Sequence, residues 1–134
     1  MTQPPLAPQL LRPGKGTQDA ARPRALPANW QCDLSDDSLI WSAGVFDLFG
    51  IAPETHVDRR EIAEMYVGDS RGMMEELRAK AIAERRAFTM EAWIRRRDGE
   101  LRWMRLSADI LCAGGRVTHL YGTKQDITDE WPVS

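Results

Sequence analysis

From Asn29 onward the chain is a succession of short apolar patterns whose period changes from two to about 3.6 and back to two. Trp30, Cys32 and Leu34 alternate with Gln31 and Asp33, which predicts a half-buried strand. Ser35, Asp36, Asp37 and Ser38 supply a turn, and the bulky run Leu39, Ile40, Trp41 predicts a second strand. Ser42 is then placed to cap a short helix carrying Val45, Phe46, Leu48 and Phe49, which Gly50 can close in a left-handed conformation. Pro53 kinks the chain. Asp58 and Glu61 have capping-box spacing ahead of a small helix with Ile62, Met65 and Tyr66. The longest helix is expected to start at Asp69 or Ser70 and to end near Arg86. Met73, Met74, Leu77, Ala81 and Ile82 would form its apolar face, and Glu76 with Lys80 an i,i+4 ion pair worth about 0.3 to 0.5 kcal/mol.

Beyond that helix the period is two again. Phe88, Met90, Ala92 and Ile94 fall on one face and Thr89, Glu91, Trp93 and Arg95 on the other, with a hairpin turn at Asp98 and Gly99. The return strand places Met104, Leu106, Ala108 and Ile110 inward and Trp103, Arg105, Ser107 and Asp109 outward. Gly114 and Gly115 turn the chain into a last strand from Arg116 to about Thr128. The predicted fold class is therefore α+β: an antiparallel sheet covered on one face by helices.

Residues 1–28 differ in texture. They hold six of the eight prolines and carry Arg12, Lys15, Arg22 and Arg24 against Asp19, so they are expected to form a disordered tail, acting either as a solubilising leader or as a docking peptide. The formal charge of the whole chain is −2, and removing the tail's +3 leaves about −5 on the remainder. The expected organisation is a tail over 1–28, one domain over 29–130 and a short end over 131–134, since 134 residues leave no room for a second domain. No apolar run approaches the roughly 20 residues of a membrane span, and the Pro-rich start has no signal-peptide core. Cys32 and Cys112 fit neither a disulfide framework nor a zinc site, so free thiols and a cytoplasmic location are expected. The arginines at 95, 96, 97 and 102 fall at a hairpin tip of an acidic body, which argues for a solvated turn over nucleic-acid binding. No nucleophile sits with a base and an orienting acid, so no enzyme is expected.

Three segments, WQCDLSDDSLIWSAGVFDLFGI at 30–51, RRRDGELRWM at 95–104 and YGTKQDITD at 121–129, together resemble the PAS domain family, including its C-terminal D-I-T motif, over residues 29–130. The resemblance implies a five-stranded antiparallel sheet of order 2-1-5-4-3 with helices on one face, and a role in signal transduction. It also implies a sheet face used for dimerisation or docking of a signalling partner, and a relay motif at Asp126, Ile127 and Thr128. The sequence departs from the subfamily at Tyr66, Val67, Gly68 and Asp69, where relatives read H-P-D-D, and only Asp69 remains as an expected N-cap. No effector follows the motif, so the chain is read as a free-standing PAS protein, with an input domain of a histidine kinase or diguanylate cyclase as the alternative. Pro132 speaks against a continuous output helix.

Cofactor expectations follow from the same resemblance. The cysteine motif of covalent flavin binding is absent around Asp58 to Met65. The histidines available for haem are His56, in a loop, and His119, which alternation points outward, so neither cofactor nor any metal is expected. The candidate cavity is lined by Phe46, Met65, Met74, Met90, Ala92, Ile94, Met104, Leu106, Leu120, Gly122 and Lys124, with Ala92 and Gly122 leaving space for a small apolar or acidic ligand; an ordinary filled core is the alternative. Lys124 points inward by strict alternation, where flavin-binding relatives place a glutamine. It either snorkels to the sheet end or requires an anionic partner. Glu91, Trp93, Arg95, Trp103, Arg105 and Tyr121 fall on the opposite face as a candidate interaction surface.

Overall fold

The computed structural model describes residues 25–130. The chain runs β1 (Ala28–Asp33), β2 (Ser38–Trp41), α1 (Ala43–Phe49), α2 (Arg59–Ala63), α3 (Asp69–Glu84), β3 (Phe88–Arg95), β4 (Leu101–Ala113) and β5 (Arg116–Asp126), followed by a 3-10 turn at Thr128–Glu130. The strands form one antiparallel sheet of order β2-β1-β5-β4-β3, as expected from the resemblance. Expectations for residues 1–24 and 131–134 lie outside the described residues, and β1 begins at Ala28.

Alternation decides the faces. Trp30, Cys32, Met90, Ala92, Ile94, Met104, Leu106, Ala108 and Leu120 are buried on the side covered by α1, α2 and α3, against Val45, Phe46, Leu48 and Phe49 of α1 and Ile62, Ala63, Met74 and Ala81 of the other two helices. Met73, expected on the apolar face of α3, is half exposed. Its neighbour Met74 takes the buried place, a helical turn of about 100° per residue separating the two.

Some local devices match expectation and others differ. Ser42 stands at the N-cap of α1, but its Oγ accepts the Asn29 amide at 3.0 Å, tying α1 to β1 instead of capping the helix. Gly50 closes α1 at φ 71°, as the left-handed cap requires. Asp58 caps α2 by accepting from the amides of Arg60 and Glu61. The N-cap of α3 is Gly68, at φ 58°, with Asp69 one residue inside the helix. Among the described residues the ion pairs of α3 join Glu75 to Arg59 of α2, Arg78 to Asp37 in the turn between β1 and β2, and Glu84 to Arg86 just past the helix, in place of the expected Glu76 to Lys80 pair.

The hairpin arginines also serve the fold. Arg96 Nη1 donates to the carbonyls of Asp47 and Leu48 at 2.6 and 3.3 Å, so a cation joins the Gly50, Ile51 and Arg97 amides in closing the C-terminal end of α1. Arg102 bridges Glu100 and Asp126. Arg96→Ala is expected to lower stability by about 1–2 kcal/mol in urea unfolding, and an unchanged midpoint would show that the backbone amides of Gly50, Ile51 and Arg97 suffice to close α1.

The sheet's rims are partly covered. The Val67 amide donates to the Trp93 carbonyl, the Arg95 amide to the Met65 carbonyl, and the Trp93 amide to Ser70 Oγ, so the segment before α3 lies against the later half of β3. On the opposite rim, β2 spans only four residues, and Ser38 bridges to Asp58.

Candidate functional site

Between the sheet and helices α2 and α3 lies a cavity of about 50 Å³. Trp30, Cys32, Leu39, Phe88, Leu106 and Leu120 wall it from the sheet, and Ile62, Ala63, Tyr66 and Met74 from the helical side. Three cationic side chains reach it: Arg59, Arg78 and Lys124. Of the residues expected at a cavity, Met74, Leu106, Leu120 and Lys124 line it. Phe46, Met90, Ala92, Ile94 and Met104 are buried elsewhere in the core, and Met65 lies half-buried at its edge.

Gly122 leaves no such space. A Cβ built there would stand 2.0 Å from the Ser107 carbonyl oxygen of β4, so the room freed by the missing side chain is taken by the neighbouring backbone. Trp30 Nε1 donates to that same carbonyl and to the Thr123 carbonyl at 3.2 and 3.3 Å, fastening β1 over the close approach.

Lys124 is buried on the inner face, opposite Leu106 on β4 and Ala28 on β1. Its Nζ lies 4.9 Å from the Phe49 ring centroid and 5.5 to 5.7 Å from those of Trp41, Trp30 and Tyr66. Among the described residues no hydrogen bond or ion pair reaches this amine. Burial pushes its pKa down to about 7, with the nearby Cys32 acting in the opposite sense and Arg59 in the same sense. The ring faces favour the ammonium form. Burial also pushes the Cys32 thiol and the Tyr66 hydroxyl upward, so both stay protonated at neutral pH and Cys32 is a poor nucleophile. Arg59 meets both oxygens of Glu75 at 2.9 and 3.0 Å, and Arg78 meets Asp37 at 2.9 Å.

The sequence placed Lys124 here by alternation. Arg59 and Arg78 escaped notice because helix spacing gives a face and not the rotation of that face onto the sheet, and Tyr66, expected in the small helix, lies beyond the end of α2 where it bridges to Ile94.

The other side of the sheet carries the expected surface residues, in two separate places. Trp93 and Trp103 are cross-strand partners, half-buried, with ring centroids 4.9 Å apart. Tyr121 pairs in register with Asp109, six residues along β4 from Trp103, which at about 3.3 Å per residue puts it some 20 Å away. The expected single cluster of three aromatics is therefore two groups. Tyr121 is cross-strand from Gln31, which in turn faces Ile40, and together with Leu111 these make a patch in which Ile40 is 65%, Leu111 49% and Tyr121 39% exposed. Between the two groups Arg105 pairs with Glu91 and Glu130, while Arg95 lies beyond the tryptophan pair at the hairpin end, opposite Leu101, and donates to the Gly99 carbonyl.

The end of β5 is tied back onto β4. Asp126 accepts from the Thr128 amide and hydroxyl and from Arg102 Nη1, while the Trp103 amide donates to Thr128 Oγ1 and the Ile127 amide to the Trp103 carbonyl. Burial alone would raise the Asp126 pKa, but the bonds from Thr128 and Arg102 outweigh it and hold the carboxyl below its ordinary range. Ile127 is fully buried. Among the described residues no group of His, Cys, Asp and Glu is arranged to hold a metal, and no helix is long and apolar enough to cross a membrane.

A sheet of this order, with helices enclosing a small cavity on one face, defines a small α+β domain. The chain belongs to the PAS fold family, whose model matches residues 38–124, and PAS domains are sensory. Among solved structures it is similar to the N-terminal domain of a diguanylate cyclase with PAS/PAC sensor from Marinobacter aquaeolei (16% identity, TM-score 0.72, covering 78% of this chain and 98% of that one). It is also similar to a sensory box histidine kinase/response regulator from Burkholderia thailandensis (19% identity, TM-score 0.64, 78% and 79% covered). A third is the PAS domain of a protein from Colwellia psychrerythraea (22% identity, TM-score 0.62, 77% and 87% covered). These likenesses establish the fold. No curated protein matches the chain.

Proposed function

We propose that this PAS domain is a non-enzymatic signalling module that reports to a protein partner, a second signalling protein or a second copy of itself, through the outer face of its sheet. The observation that carries this reading is the exposed patch of Ile40, Leu111 and Tyr121, contributed by β2, β4 and β5 on the side that none of the described helices covers. Large apolar side chains grouped at a surface are what protein contacts bury. Ile40→Glu combined with Tyr121→Glu is expected to weaken self-association in sedimentation, or photo-cross-linking to a partner from a probe at Leu111, by about tenfold or more, with the circular dichroism spectrum unchanged. Association that survives both charges would remove the patch as the contact.

A second reading, that the domain senses a small molecule, is favoured by the cavity at Lys124. The similar domains from a diguanylate cyclase and a histidine kinase are compatible with an input role of this kind. Strand β5 carries Lys124 on the inside and Tyr121 on the outside, so occupancy of the cavity and the state of the patch bear on one strand.

A further inference from the structure

We infer that the cavity binds a one- or two-carbon carboxylate, formate or acetate, with the Lys124 ammonium as its principal anchor, an inference that rests on the sensing reading above.

The polar lining is made almost wholly of donors. Lys124 offers three N–H bonds, Arg59 and Arg78 bring guanidinium groups, and Tyr66 and Cys32 are protonated. Glu75 and Asp37 engage the two arginines but are not part of the cavity wall. The interior therefore presents three cations and no carboxylate. Lys124 is the group left over: it is 7% exposed, and its Nζ has ring faces around it but no acceptor among the described residues. A buried ammonium without an acceptor is costly, and an anion placed in the adjoining space supplies one.

Size narrows the class. At about 50 Å³ the cavity is a third of the roughly 150 Å³ that admits benzene, which leaves room for about two to four heavy atoms. Formate and acetate have three and four. Phosphate and sulfate are larger and demand more hydrogen bonds than one ammonium and two occupied guanidiniums provide. The apolar walls at Leu106, Leu120 and Ile62 suit a methyl group.

The test uses the full chain with ¹³C-labelled lysine, following the Lys124 Cε resonance against pH in the presence of sodium acetate, formate, butyrate, chloride or neutral acetamide. Acetate and formate are expected to move the Lys124 titration to higher pH, because a bound anion favours the ammonium, and to bind at least tenfold more tightly than butyrate, chloride or acetamide. Their saturable binding, read by calorimetry, should vanish in Lys124→Met. A Lys124 resonance indifferent to both acids, equal response to chloride or butyrate, or undiminished acetate binding by Lys124→Met would overturn the assignment. The wild-type titration and the chain-length series stand even if the variant folds poorly. A different small molecule found in the cavity by native mass spectrometry, with no response to either acid, would overturn the carboxylate while leaving the sensing reading in place. A cavity holding water alone would overturn both.

Discussion

Lys124→Met, measured without added ligand, is expected to be more stable than the wild type by about 1–4 kcal/mol in urea unfolding at pH 6, the gain seen when buried charges give way to apolar groups of similar volume. The advantage should shrink as pH rises. Lys124 has its pKa pushed down to about 7 in the folded protein, from 10.5 in an unfolded chain. Below pH 7 both states hold the proton and Lys124 contributes no slope. Between about 7 and 10.5 the unfolded state binds more protons than the folded one, so wild-type stability climbs with pH by up to about 1.4 kcal/mol per unit. Above that window the slope ends. Cys32, whose thiol is pushed up by burial, acts oppositely above pH 9, since the unfolded state loses its proton first. Cys32 is present in both proteins, so the difference between the wild type and Lys124→Met isolates the amine. Parallel stability curves for the two would mean that Lys124 keeps its charge in water, as a snorkelling side chain does.

Gly122→Ala is expected to cost about 3 kcal/mol or more, beyond the range of an ordinary surface substitution. The added Cβ would lie 2.0 Å from the Ser107 oxygen, 2.8 Å from its carbonyl carbon and 3.2 Å from the Ala108 Cα, all backbone atoms of β4 that no rotamer change can move. Relief requires β4 and β5 to separate, which also breaks the grip of Trp30 Nε1 on Ser107 and Thr123. Thermal or urea unfolding of Gly122→Ala reports the cost. A loss under about 1 kcal/mol would show that the two strands part cheaply and that the close approach is incidental.

These two positions show where sequence reading succeeds and stops. Strand faces were legible because side chains alternate strictly: the inward placement of Lys124, Met104 and Leu106 and the outward placement of Trp103 and Tyr121 need nothing beyond period two. What alternation cannot give is register. Tyr121 and Trp103 share a face but stand some 20 Å apart, because the offset between β4 and β5 is fixed by the turn at Gly114 and Gly115 and by the irregularity at Leu111 and Cys112. Small residues misled for a related reason. Gly122 reads as empty space in one dimension, whereas in the sheet its missing atoms are replaced by a neighbouring carbonyl. The two cavity arginines were hidden because each occupies a polar position of its helix. Whether such a position faces the sheet depends on how α2 and α3 pack against it, and the pairing of these guanidiniums with Glu75 and Asp37 joins partners distant in sequence.

The partly sealed rims of the sheet bear on how the molecule can associate. With the later half of β3 bonded to the segment before α3, and β2 short and bridged to Asp58, little continuous unpaired backbone is available for a foreign strand to zip onto. Such rims disfavour β-augmentation and its amyloid-like extension relative to broadside docking, a mode in which side-chain shape instead of main-chain hydrogen bonding would select a partner.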